Sequence, residues 1–181
     1  MKKILSWFLI LQSFSLLTVA VYQFYLSQTP TLLSFNDYHV AQTQTTLQGA
    51  APDRITISSL GIDLPVYKAT IVNNVWPTTT HGASYLTSSP LPGNKGNSVI
   101  YAHDWVSLFG RLVNAKVGQQ VVVTYPDWTK KTFVISYTSV VTPDEGTILA
   151  PSDDTRLTLY TCTGFLDSHR FVVVAILKNS A

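Results

Sequence analysis

Cysteine is nearly missing from this chain. Cys162 is the only thiol in 181 residues, so an internal disulfide is excluded. Charge is also scarce. Asp, Glu, Lys and Arg make up 12% of the residues, about half the usual share, and no charged residue occurs between Ile4 and Asn36. The net charge of +2 comes without a basic cluster, which leaves no electrostatic footprint for nucleic acid as a partner. No helical pattern is sustained beyond the N-terminal run, and no internal repeat is evident.

That N-terminal run is the first thing present. "ILSWFLILQSFSLLTVAVYQFYL" (Ile4 to Leu26) is longer than the ~20 apolar residues that cross a bilayer as a helix. Lys2 and Lys3 precede it, and the first acidic residue after it is Asp37. Positive charge stays on the cytoplasmic side, which places residues 1–3 inside the cell and the rest of the chain outside. A cleaved signal peptide would have an apolar core of about 7–15 residues and small residues before the cut. This run is longer and ends in the bulky Tyr22, Phe24 and Tyr25, which suit an interfacial belt. The expectation is an uncleaved, single-pass transmembrane helix over 4–26 in the cell membrane. A polar, Thr- and Gln-rich extracytoplasmic linker follows over 27–51, and a domain over 52–181.

From Asp53 the texture becomes that of strands. "RITISSLGIDLPVYKATI" alternates apolar and polar positions around Gly61 and Pro65. "VWPTTTHGASYLTSSPLPGNKGN" reads as loop with one helical turn. "DWVSLFGRLVNA" reads as a short helix or irregular turn, and "TPDEGTILAPSDD" as loop. "SVIYAH", "QQVVVTYP", "KTFVISYTSVV", "RLTLYTC" and "RFVVVAIL" read as strands. The sum is an all-β domain of seven or eight short strands, in an antiparallel sandwich or barrel.

Cys162 closes one of these strands, where scaffolds tend to hold reacting groups. Burial as a small apolar residue is the alternative. A nucleophilic thiol needs a base or a cation beside it. Of the four histidines, His39 lies in the linker, His81 in a loop-rich stretch, and His169 beside Arg170. His103 ends the strand "VIYAH", a second strand-to-loop edge. Arg170 opens the last strand, and there it either aims donors at an oxyanion or sits solvated. In an extended chain His169 and Arg170 face opposite ways.

"TLYTC" (Thr158 to Cys162) resembles the Thr-Leu-X-Thr-Cys signature of sortases, the membrane-anchored cysteine transpeptidases of mainly Gram-positive bacteria. The order of features is similar as well: anchor, linker, a strand ending in His, a strand ending in Cys, then an Arg opening the last strand. The likeness covers about residues 52 to 178. It implies a closed eight-stranded β-barrel with short helices and a triad of His103, Cys162 and Arg170. Thr161 is implied as a substrate-binding residue beside the thiol. The partners implied are secreted proteins with a Leu-Pro-X-Thr-Gly-like sorting signal, and an amine from a peptidoglycan precursor or a pilin. No cofactor is implied for the chemistry. Some class A sortases bind calcium near a loop like that of Asp144, Glu145, Asp153 and Asp154, though a solvated loop suits these four better. Many sortases carry Gly where this chain has Ala102. No Asp-Pro-aromatic lid motif occurs in the linker and no apolar run follows the domain. Both observations argue against the pilin-polymerising class C and leave classes A, D and E. The alternatives are a membrane-tethered cysteine peptidase, which would pair Cys162 with the downstream His169, and a non-catalytic binding barrel with Cys162 as filler.

Overall fold

The structure, a computed structural model, describes residues 2–26, 33–37, 49–73 and 75–178. A helix, α1 (Lys2–Leu26), precedes eight strands: β1 (Arg54–Ile57), β2 (Ile62–Ala69), β3 (Ala83–Leu86), β4 (Gly96–Tyr101), β5 (Gln120–Thr124), β6 (Lys130–Val141), β7 (Thr155–Thr163) and β8 (His169–Leu177). Short 3₁₀ turns fill several connections. They include Gly110–Asn114, where the sequence suggested a helix or turn, and Gly146–Leu149.

The strands close into a barrel in the order β1-β2-β3-β4-β7-β8-β6-β5. Two of the neighbouring pairs, β2 with β3 and β4 with β7, are parallel, so the antiparallel expectation is corrected. A parallel neighbour needs a long crossover, and the chain supplies these over 70–82 and 102–154. β3 was hidden because its four residues lie within a Pro-, Gly- and Ser-rich stretch that reads as loop. The turn between β1 and β2 depends on Gly61, which sits at φ 62, the left-handed region that glycine enters without strain.

β4 and the middle of β7 are buried on both faces. All six residues of β4 are buried. Inside the barrel, Ile100, Leu157 and Leu159 pack with Phe133, Val173 and Ala175. On the outer face, Val99, Tyr101, Tyr160, Cys162, Val172 and Val174 lie under a second layer made of Leu33, Phe35, Trp76 and Leu149. Thr158 and Asn97 fasten the roof over this face. Thr158 Oγ1 donates to Asn97 Oδ1 at 2.6 Å, and Asn97 Nδ2 donates to the carbonyls of Ile148 and Ala150 at 3.1 Å.

Two expectations change. Residues 33–37, assigned to a featureless linker, are docked on the barrel, with Leu33 and Phe35 fully buried. The N-terminal run is helical, but among the described residues no helix is long and apolar enough to cross a membrane. The span expected over 4–26 is therefore not borne out. Two of its hydroxyl groups turn back on the backbone: Ser13 Oγ donates to the Leu9 carbonyl and Thr18 Oγ1 to the Phe14 carbonyl.

Candidate active site

Antiparallel pairing of β7 with β8 sets Cys162 directly opposite Arg170, and Thr163 opposite His169. Directly opposed residues share a face, so Arg170 lies beside the thiol and His169 does not. The His169 ring hydrogen-bonds Ser168 Oγ at 2.9 Å. The peptidase alternative thereby loses its downstream histidine. His103 arrives from the other side through the parallel β4–β7 pair, which aligns Tyr101 with Tyr160. The two strand ends stay joined past the last rung. Ala102 N–H donates to the Tyr160 carbonyl at 3.3 Å, and Thr161 Oγ1 donates to the Ala102 carbonyl at 2.8 Å. Thr161, expected to touch substrate, thus spends its hydroxyl on fixing the residue before His103, and it points to the face opposite the thiol. His81 is exposed and bonded to Thr80, while His39 lies outside the described residues.

Cys162, His103 and Arg170 are only 2–3% exposed. The segment 33–37 covers Cys162 and Arg170. Tyr160 OH donates to the Leu33 carbonyl at 2.9 Å, and Arg170 NH2 donates to the Ser34 carbonyl at 3.2 Å. Phe35 sits edge-on to Tyr160 with centroids 5.1 Å apart. Beyond Phe35 a polar clasp grips the loop between β6 and β7. Asn36 N–H donates to the Pro143 carbonyl, Asn36 Nδ2 to Asp144 Oδ1, and Gly146 N–H to Asp37 Oδ1 at 2.6 Å. The sequence carried one signal for this strap, the apolar "LLSF" inside a polar stretch.

Burial shifts both the thiol and the imidazole towards their neutral forms. Burial pushes the Cys162 thiol up to about 12. Arg170 pulls it down, and Asp167 and Asp104 push it up further. Burial also lowers the His103 imidazole, with Asp104 acting against it. Arg170 is held by its own loop, NH1 donating to the Asp167 and His169 carbonyls at 2.8 and 3.0 Å. Its Nε is buried with no hydrogen-bond partner among the described residues. A buried cationic donor without an acceptor is costly to keep and invites one from a ligand.

Each of the four loop acids has a partner within the fold. Asp144 accepts from Asn36, Glu145 Oε1 from Thr142, Asp153 pairs with Lys95, and Asp154 takes both donors of Arg156. Among the described residues, no group of three or more His, Cys, Asp or Glu side chains is placed to hold a metal ion.

No curated protein matches the chain. Sortase C from Clostridium perfringens SM101 is 26% identical, with a TM-score of 0.61 over 73% of this chain and 72% of that one. Sortase A from Listeria monocytogenes is 27% identical, with a TM-score of 0.60 over 72% of this chain and 89% of that one. Sortase A from Corynebacterium diphtheriae, at 23% identity, is alike in fold, with a TM-score of 0.65 over 91% of this chain and 82% of that one. The sortase domain family model matches residues 55–178, which is the whole barrel from β1 to β8. With that match over most of its length, the chain belongs to the sortase family of cysteine transpeptidases.

Proposed function

We propose that this chain cleaves a Leu-Pro-X-Thr-Gly-like sorting signal in secreted proteins and joins the new carboxyl end to an amine. The observation that carries this reading is the pairing of Cys162 with Arg170, whose buried Nε has no acceptor among the described residues. Once the strap has left, Cys162 Sγ gives its proton to His103 and attacks the Thr carbonyl. The oxyanion takes the donors of Arg170 that the Ser34 carbonyl and the empty Nε position now leave. His103 protonates the departing amine, and a thioester remains on Cys162. An incoming amine attacks the thioester, His103 accepts its proton, and the thiolate leaves as the new amide forms. Thr161 serves this site by holding Ala102 and, through it, His103. A peptidoglycan precursor or a pilin lysine supplies the amine. A panel of sorting peptides incubated with candidate amines tests the reading. It fails if no peptide yields a new amide or a thioester on Cys162.

One observation favours a second reading. The depth at which Cys162 is buried suits a filler thiol in a binding barrel. A methanethiosulfonate separates the two, since a filler thiol stays unlabelled until the protein unfolds, whereas a thiol under a strap reacts in the native state.

α1 is proposed to anchor the chain in the cell membrane with the barrel outside. Supporting this, its described side chains are exposed, with Trp7, Phe14 and Leu16 each more than 60% open, and Lys2 and Lys3 precede it. Full-length protein is expected to fractionate with membranes, and external protease to release the barrel. Recovery of a mature chain that lacks 4–26 overturns the anchor.

A further inference from the structure

The residue that follows the motif "AHD" is Trp105, and its indole lies flat on His103. The ring centroids are 5.0 Å apart and the planes 16° from parallel. This stack is built in by the backbone. The loop after β4 doubles back so tightly that Phe109 N–H reaches the His103 carbonyl at 3.0 Å. Leu108 and Gly110 N–H both reach the Trp105 carbonyl, at 2.8 and 2.9 Å. Gly110 is what permits this, because a Cβ there would lie 2.2 Å from the Asp104 carbonyl oxygen and 2.8 Å from the Trp105 carbonyl carbon. The indole also packs against the barrel's inner core, so it is held between that core and the imidazole.

We propose that Trp105 is a positioning residue for His103, fixing the plane of the imidazole and favouring its protonated form through the face of the indole. The proposal rests on His103 being the proton carrier of the transfer reaction. A cation over an indole face is stabilised by the ring's quadrupole, and Trp does this better than Phe or Tyr. The charged group that acts on His103 is Asp104 on its own loop, which also acts across the site on Cys162 and Asp167, while Arg170 acts on both of those. Burial there works against the imidazolium and Asp104 works for it. The indole adds a second favourable contact. Because the thiol titrates well above the imidazole, the reactive thiolate–imidazolium pair is a minor species. Its share falls in step with the imidazole pKa.

The test uses the full chain with Trp105→Leu and Trp105→Phe, together with ring-fluorinated tryptophans placed at position 105. Imidazole NMR titration, assigned with His103→Gln, reads the proton on His103 without any substrate. The pH profile of kcat/KM for a sorting peptide reads its use. Trp105→Leu is expected to lower the His103 titration and the acid limb of the profile together. Activity should fall about three- to tenfold, with the loss in kcat rather than KM, and Trp105→Phe should recover most of it. The fluorinated series keeps the shape of the side chain, should Leu disturb the fold. The titration is expected to drop stepwise as fluorines are added. An unmoved titration across that series, or a Leu variant that loses activity with its acid limb unchanged, overturns the proposal. Absence of any peptide cleavage in the parent chain defeats the transpeptidase reading instead, and the titration still judges the stack.

Discussion

Phe35→Ala should make the enzyme faster. Phe35 is fully buried against Tyr160 and Trp76, yet it belongs to a strap and not to the barrel. Its burial stabilises the docked strap by about 1.5–3 kcal/mol. Removing the ring shifts the balance towards the open site by that amount, which at about 1.4 kcal/mol per decade is roughly ten- to a hundredfold. The gain is capped at the reciprocal of the wild-type open fraction, because a site already open has nothing more to gain. Asp37→Ala, which removes the charge-assisted bond to Gly146 N–H, should act in the same direction at roughly 1.5–3 kcal/mol. Two assays sample the same open state: the rate at which a methanethiosulfonate labels Cys162, and kcat/KM for a sorting peptide. Both are expected to rise together in Phe35→Ala, while the thermal melt of the barrel hardly moves. The reasoning is refuted if labelling stays at the wild-type rate, or if the variant melts early and slows. Either result would make Phe35 part of the core.

Three further outcomes follow from the site. Cys162→Ala and His103→Ala should each abolish peptide cleavage, and His81→Ala and His169→Ala should keep most of it; activity that survives loss of His103 but not of His169 reverses the assignment. Arg170→Lys should reduce kcat/KM by about 10²–10³ with the fold intact, since a flexible ammonium cannot replace a planar fork of donors, and a change under about threefold removes Arg170 from the chemistry. The unfolded thiol ionises near pH 8.5, whereas folded Cys162 keeps its proton to about 12. The stability this provides is fully present below the unfolded pKa and is lost as pH rises through that window. Between pH 8 and 10, denaturant titration should show wild type losing about 1–2 kcal/mol more than Cys162→Ser, and equal slopes in the two proteins would contradict the buried neutral thiol.

The part of the site written in local sequence was legible. Cys162 and Arg170 meet through a hairpin, so strand alternation and a short connection were enough to place them. His103 could be read as a strand end, but its approach to Cys162 depends on parallel pairing across a long crossover, which alternation does not reveal. The strap was hidden for a related reason. Leu33 and Phe35 follow an apolar helix, and their partners, Tyr160, Trp76 and the loop around Asp144, lie far along the chain. β3 was missed because four residues carry too little pattern against flanking Pro and Ser. The bond from Thr161 to Ala102 was not legible, because a motif gives a residue's neighbours and not the direction of its hydroxyl.

The strand order also sets the sequence in which the protein can be made. β7 and β8, the last two strands along the chain, sit between β4 and β6. Before they arrive, the earlier strands form an open sheet whose two exposed edges are β4 and β6, and unpaired edges invite pairing with other chains. A chain emerging N-terminus first therefore stays open, and prone to association, until its final hairpin inserts. That same hairpin carries Cys162 and Arg170. Closure of the barrel and the meeting of Cys162 with Arg170 are one event.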